Sequence, residues 1–291
     1  MQELDFRSFA INLVKWYDVN KRDLPWRSTK DPFLIWLSEI ILQQTRIEQG
    51  IGYYHKFVRA FPNICALASA KEQTILKMWE GLGYYNRARN LHHTSKVICQ
   101  KYNGHFPDTY KQLITLRGIG DYTASAIASF AFGEAQPVID GNVIRFMSRF
   151  FGIHEDFSKA KSKHLVKDKL RQIIKFVDPA IFNNAMMEFG SLQCKSSNPK
   201  CEICVFSNSC QAYQTDSVEL LPLKKGKKPK TKRYFHYFIS ASSESQWMRE
   251  RKQKDIWQGL YEFPLCESRS IRKPKVEELP HYINHNSLEK W

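Results

Sequence analysis

No run of about 18 apolar residues occurs in the sequence, so no stretch reads as a membrane-spanning helix. The opening MQELDFRSFA lacks a basic segment followed by an apolar stretch and small cleavage-site residues, so it does not read as a secretory signal. From these two absences the expectation is a soluble, intracellular, cytoplasmic protein with no membrane partner. Low-complexity tracts are missing too, and the one echo of a repeat is GLGYYNRARN against GIGDYTASA. Acidic residues are scarce: Asp plus Glu number 29 against 44 Lys plus Arg, a formal charge of +15 on 291 residues. That balance disfavours an acidic small substrate and favours a polyanionic partner; the plainer alternative is a solvated basic surface. Cysteine is odd in number, with four of 7 clustered and Cys65, Cys99 and Cys266 scattered. A disulfide framework is therefore not expected, and the scattered three read as reduced, half-buried residues.

What is present organises the chain into two parts. From residue 1 to about 213 apolar residues recur at three-to-four spacing, broken by Gly and Pro, which reads as a series of short helices. One of these is well framed. Asp31 can cap it, Pro32 stands where a missing N–H costs nothing, and FLIWLSEIILQQT follows, predicting a helix to about Glu48. The segment 224–233, KKGKKPKTKR, has seven basic residues and neither an acid nor an apolar residue, so it reads as an exposed linker and domain boundary. Beyond it RYFHYFIS and WQGLYEFPL read as short strands. The remaining stretch is thin for a self-sufficient core, so it either leans on the first domain or stops short of its natural end.

Two motifs carry chemistry. Cys194, Cys201, Cys204 and Cys210 form a C-x6-C-x2-C-x5-C run, with Asn198 and Pro199 to bend the loop between them. Zinc sites usually use two separated C-x2-C pairs, whereas here one pair is flanked by single cysteines, which favours a [4Fe-4S] cluster over zinc or over no metal. Four thiolate ligands leave no open position, so the default role of such a cluster is to hold a loop rigid. In LRGIGDYTASAIASFAFG, Gly118 and Gly120 permit a tight turn before a helix whose first N–H groups could meet a phosphate. A G-x-G alone marks an ordinary inter-helix turn; the net charge and the cysteine loop beside it raise the phosphate reading.

Taken in order, LPWR (24–27), SEIILQQT (38–45), GLGYYNRARNL (81–91), LRGIGDYTA (116–124), IDGNV (139–143), NNAMMEFG (183–190) and the cysteine loop resemble the adenine DNA glycosylases of the MutY family, within the endonuclease III superfamily. The likeness runs from about residue 5 to 230. It implies a mainly α, helix-hairpin-helix glycosylase fold: a six-helix barrel over about 30–137 and an iron-sulfur cluster domain from 1–29 and 138–223. An incomplete α+β domain of Nudix type follows at 234–291. It also implies a monomeric enzyme acting on double-stranded DNA with adenine opposite 8-oxoguanine or guanine. By resemblance Asp140 is the catalytic aspartate, Glu39 the acid these enzymes add, and Asn142 a residue near the aspartate. Gln44 is the residue wedged into the base stack, Tyr84 one near the mismatch, and Arg27 and Arg87 further DNA contacts. Tyr122 stands where bifunctional relatives carry the Schiff-base lysine.

Hydrolysing an N-glycosidic bond needs a proton for the departing base and negative charge beside the developing oxocarbenium ion. On a helix the surface neighbours of Glu39 are Ile35, Trp36, Leu42 and Gln43, three of them apolar, which should raise its proton affinity as a general acid requires. Without the resemblance, Glu39 reads as a glutamate on a solvated helix face and Asp140 as a cap or turn aspartate. With it, Asp140 is expected to stay ionised and stabilise the sugar cation. Arg117 replaces the proline often found before the hairpin in relatives. RERKQKDIWQGLYEFPL resembles the opening half of the domain that reads 8-oxoguanine, so the expectation is adenine excision with weak discrimination of the opposite base. Two rivals remain open: a pyrimidine glycosylase with lyase activity, disfavoured by Tyr122 and Glu39, and a non-catalytic iron-sulfur DNA-binding remnant, disfavoured by the Glu39 and Asp140 pair.

Overall fold

The structure, a computed structural model, describes residues 5–223, 231–239, 246, 248–252, 257–269, 271, 272 and 275. Most of the expected basic linker, the QKDI of the RERKQKDIWQGLYEFPL segment and everything after residue 275 lie outside the described residues. The chain divides into two compact units, 1–225 and 226–291.

Among its described residues the first unit is helical: α1 (Phe6–Asn20), α2 (Pro32–Ile41), α3 (Ile47–Ala60), α4 (Ile64–Ser69), α5 (Glu72–Trp79), α6 (Asn86–Lys101), α7 (Tyr110–Leu113), α8 (Asp121–Phe132), α9 (Gly141–Phe151), α10 (Ala160–Ile173), α11 (Pro179–Leu192) and α12 (Gln211–Gln214). Two apolar cores organise them. One gathers Trp36, Phe57, Trp79, Leu91 and Ile127 from α2 to α8, and the other joins α1 to α9, α10 and α11 through Phe9, Leu13, Phe146, Phe150 and Phe189. The N-terminal helix thus packs with the last helices of the unit, leaving the barrel helices between them in sequence. Phe206, from the cysteine loop, stacks on Phe9 at 4.6 Å between centroids and anchors that loop in the second core.

Helix α2 starts as its sequence predicts, with Asp31 Oδ1 accepting from the Phe33 N–H at 2.8 Å and Pro32 at the first position. It does not reach Glu48. It stops at Ile41, Gln44 turns left-handed at φ 58°, and α3 begins at Ile47. The cause lies in α6: the Arg87 guanidinium accepts the role of C-terminal cap, Nη1 donating to the Ile40 and Ile41 carbonyls at 3.0 and 3.1 Å and also to that of Gln43. A second correction concerns Cys65 and Cys99, expected reduced. They are joined in a disulfide between α4 and α6, which pack side by side and bring the two Cα atoms within 5.7 Å. Cys266 is buried, on a strand.

In the second unit, β1 (Tyr234–Tyr237) pairs antiparallel with β4 (Leu265–Ser268), and β2 (Arg249–Glu250) with β3 (Tyr261–Glu262). Both strand segments read from the sequence are present, β1 within RYFHYFIS and β3 after the turn that opens WQGLYEFPL. Glu262 holds Arg249 and Arg251 on one ribbon, and Arg233 pairs with Glu267 on the other.

Candidate active site

A cavity of about 1050 Å³ opens between the two cores of the helical unit, lined by Trp26, Arg27, Ser38, Glu39, Tyr122, Asp140, Asn142 and Glu188 among others. The barrel contributes Glu39 from the last turn of α2 and Tyr122 from the first turn of α8; the second core contributes Asp140 and Asn142 at the start of α9. Residues separated by about a hundred positions are brought to one place because α2 and α8 pack on each other and α11 packs on both α8 and α9.

Glu39 is 9% exposed, with Ile35 and Trp36 buried on the preceding turn of α2. Burial pushes its carboxyl up to about 7; a hydrogen bond with the Tyr122 hydroxyl and the Arg27 guanidinium oppose this, and the Asp140 charge adds to it. Tyr122 is itself pushed well above the phenolic range by burial and by the two carboxyl groups, so it remains a hydroxyl. Its oxygen also lies 3.5 Å from Met187 Sδ. The Tyr122 hydroxyl is thus the hydrogen-bonding neighbour of the Glu39 carboxyl.

Asp140 sits in different surroundings. It is the N-cap of α9, its Oδ1 accepting from the Val143 N–H at 2.8 Å and its Oδ2 from Asn142 Nδ2 at 2.7 Å. A helix N terminus with two donors suits a carboxylate. Asn142 is held in turn: its Oδ1 accepts from Arg145 Nη2 at 2.8 Å, and Arg145 Nε donates to the Cys194 carbonyl at 2.8 Å. Gly190 on α11 has no room for a side chain, since a Cβ there would stand 2.7 Å from the Asn142 carbonyl.

Arg27 lines the cavity but does not present a free guanidinium to DNA. Its Nη2 donates to Glu188 Oε2 at 2.7 Å, and Arg22 makes a bidentate pair with the same carboxylate, Nε to Oε1 at 2.9 Å and Nη2 to Oε2 at 2.7 Å. Arg87, also expected to contact DNA, is committed to the carbonyls at the end of α2 and to those of Leu82 and Gly83. In the free protein both guanidiniums are internal ties. Arg22, Arg145 and Glu188 were missed, since Arg22 and Glu188 meet across 166 residues and Arg145 reaches carbonyls 45 and 49 residues on, partners that their sequence neighbours do not announce.

Gln44, Tyr84, Gly118 and Gly120 are not in the cavity. Gln44 follows the cavity residue Gln43 and is exposed, and Tyr84, 53% exposed, is left-handed at φ 47° like Gln44. Non-glycine residues in that region are strained, and strain of this kind concentrates at functional positions. Gly118 is required twice over: its φ is 78°, and a Cβ would meet Asn90 Cβ at 2.6 Å. Gly120 caps the N terminus of α8, and Lys167 pairs with Asp121 in its first turn at 3.0 Å.

The four clustered cysteines line one small hollow with Phe146, Phe189, Phe206 and Arg149. Burial raises all four thiols, Cys204 to about 11, while N–H donors point at two sulfurs: Arg149 Nη1 lies 3.6 Å from Cys194 Sγ and the Phe206 N–H 3.4 Å from Cys204 Sγ. Among the described residues no three His, Cys, Asp or Glu side chains are grouped to hold a single metal ion. Sulfurs that share a hollow and receive N–H donors have the surroundings in which thiolate ligands are stabilised.

Residues 37–175 match the model of the HhH-GPD superfamily base excision DNA repair proteins. The adenine DNA glycosylase of Buchnera aphidicola subsp. Baizongia pistaciae is 38% identical over 260 residues, 88% of this chain and 73% of that protein. The chain belongs to the adenine DNA glycosylase family. The family member from Buchnera aphidicola subsp. Acyrthosiphon pisum is 38% identical over 286 residues, 97% of this chain and 80% of its own, and that of Mus musculus 37% over 219, or 72% and 42%. Among solved structures, a thermostable thymine-DNA glycosylase matches with a TM-score of 0.67 at 28% identity, covering 72% of this chain and 97% of that one. A non-covalent endonuclease III–DNA complex shares the fold, with a TM-score of 0.61 at 20% identity over 74% and 99% of the two chains. This glycosylase is therefore a base-excision hydrolase whose partner is DNA. No helix among its described residues is long and apolar enough to cross a membrane.

Proposed function

We propose that the protein hydrolyses the N-glycosidic bond of adenine mispaired with 8-oxoguanine or guanine in duplex DNA, without a covalent amine intermediate. The observation that carries this reading is the pairing of two carboxyls in opposed surroundings within one cavity. Glu39, with its proton affinity raised to about 7, gives a proton to the departing base. Asp140, fixed by the α9 N terminus and by Asn142, places negative charge beside the sugar as positive charge develops there. Tyr122 holds the Glu39 carboxyl in line, and as a phenol it supplies no amine for a Schiff base. Water completes the hydrolysis.

Reaching the base requires extruding it from the stack at a cost of a few kcal/mol. Gln44 and Tyr84, exposed and strained, enter the gap and meet the mismatch, while the N–H groups after Gly118 and Gly120 hold a backbone phosphate. Cys194, Cys201, Cys204 and Cys210 would hold a [4Fe-4S] cluster, which when bound cross-links its loop to the second core. The donor set favours it: four half-buried cysteines around one hollow, with Arg149 and the Phe206 amide directed at sulfur.

Single-turnover base release from duplexes bearing adenine opposite 8-oxoguanine, guanine or thymine tests the reading, with Glu39→Gln as control. Release from the first two, little from the third and none in the variant is the expected pattern. Equal release of adenine opposite thymine, or a borohydride-trapped covalent adduct in good yield, overturns it.

A further inference from the structure

Asp23, Glu39, Asp140, Asp178 and Glu188 line the cavity, and the proposed cleavage uses Glu39 and Asp140. Of the other three, Asp23 and Asp178 are exposed, whereas Glu188 on α11 is fully buried, and its oxygens accept from the Arg22 backbone N–H, Arg22 Nε and Nη2, and Arg27 Nη2. Arg22 and Arg27 bracket the LPWR turn that leads into α2, so both cations are delivered by the segment next to the helix that carries Glu39. The second guanidinium nitrogen of Arg27, Nη1, donates to the Arg22 carbonyl at 3.2 Å, which closes the arrangement on itself. Around Glu39 the groups that act on its charge are Tyr122, Asp140 and Arg27, the last of them the one cation.

Arg27 lines the same cavity as Glu39 and its charge acts there, while its hydrogen bond goes to the carboxyl that the proposed cleavage does not use. A guanidinium that turned to Glu39 would form the charge-assisted pair such groups prefer and would hold Glu39 as a carboxylate, with no proton to give. Arg22 supplies the rest of the counter-charge Glu188 needs, so its carboxylate is firmly ionised and competes well for Arg27. We propose that Glu188 is a positioning residue that ties Arg27 away from Glu39 and so keeps the Glu39 carboxyl protonated when the base departs. This inference rests on Glu39 being the general acid.

The test is the pH dependence of single-turnover base release in the whole protein, for the wild type, Glu39→Gln, Glu188→Gln and the double variant Arg27→Met with Glu188→Gln. In the wild type release falls above pH about 7. In Glu188→Gln that limb moves down by about one pH unit or more, as for a carboxyl gaining an opposite charge within a few ångströms. The loss at pH 7.5 is then at least about sixfold larger than the loss at pH 5.5. Adding Arg27→Met returns the limb to near its wild-type position. A loss in Glu188→Gln that is the same at every pH overturns the inference and makes the residue a purely structural tie. If Glu188→Gln does not fold, Glu188→Asp serves instead: the shortened arm weakens the tie, a smaller downward shift is expected, and an unmoved limb is equally fatal. Base release retained in Glu39→Gln would overturn both this inference and the general-acid reading, whereas an inactive Glu39→Gln with an unmoved limb overturns this one alone.

Discussion

On the barrel side of the cavity Glu39 is buried among Ile35, Ser38 and Leu42, with one hydroxyl, that of Tyr122, as its polar partner. On the opposite side each oxygen of Asp140 and of Glu188 accepts at least one hydrogen bond, from a helix N terminus, an amide or a guanidinium. Glu39 and Glu188 are both buried, and Asp140 half-buried. What differs is the supply of donors, and it decides the protonation state: Glu39 is pushed up to about 7, whereas the paired guanidiniums hold Glu188 down at about 2 in spite of its burial. A cleft that is dry on one wall and donor-rich on the other keeps an acid and an anion side by side at neutral pH.

The strongest way to break this comparison is to make the walls alike. Glu39→Gln and Asp140→Asn are each expected to lower single-turnover base release by about 10²- to 10⁴-fold while leaving duplex binding intact. A variant within about tenfold of wild type would show that its wall does not matter. Next in size is a stability effect with a definite sign. Glu39 takes up its proton more readily folded than unfolded, so its contribution is full below pH 4.5 and is lost as pH rises to about 7. Glu39→Gln removes that loss, and chemical denaturation at pH 8 should find the variant more stable than wild type by about 2 to 3 kcal/mol, with the difference gone or reversed at pH 4.

Smaller effects sharpen how each wall is built. The Glu39 wall depends on Arg87, whose guanidinium satisfies the carbonyls at the end of α2. Arg87→Met is expected to lower stability by about 1 to 3 kcal/mol in urea unfolding, the range for buried acceptors left without a donor. Smallest is Gln44→Gly, which relieves a left-handed residue and should stabilise the free protein by up to about 1 kcal/mol. The same change should slow base extrusion, followed by the fluorescence of 2-aminopurine placed beside the mismatch.

Much of the barrel and of the reaction centre was legible because it is local. The caps and apolar spacing of α2, the G-x-G turn before α8 and the four clustered cysteines each declare themselves within about twenty residues. The environment of Glu39 was legible for the same reason, since Ile35 and Trp36 on its own helix are the neighbours that bury with it. What stayed hidden depends on distant partners. The helical pattern of α2 continues through Gln43 and Gln44, and only a guanidinium 47 residues from Ile40 ends it there. Arg22 meets Glu188 across 166 residues, and Cys65 meets Cys99 because α4 and α6 run together. Arg27 and Arg87 were read only as DNA contacts, and charge alone does not reveal the buried acceptors that each of them also meets.

The cap that Asp140 makes on α9 gives this centre a property useful at the bench. Asparagine caps helices about as well as aspartate. Replacing Asp140 by Asn would keep an acceptor for the Val143 amide and the start of α9 in place while removing the charge opposite Glu39. On the proposed chemistry the outcome would be a decoy: a chain still shaped for duplex DNA but unable to cleave it, suited to capturing its substrate duplexes intact for imaging or for recovery from a genome.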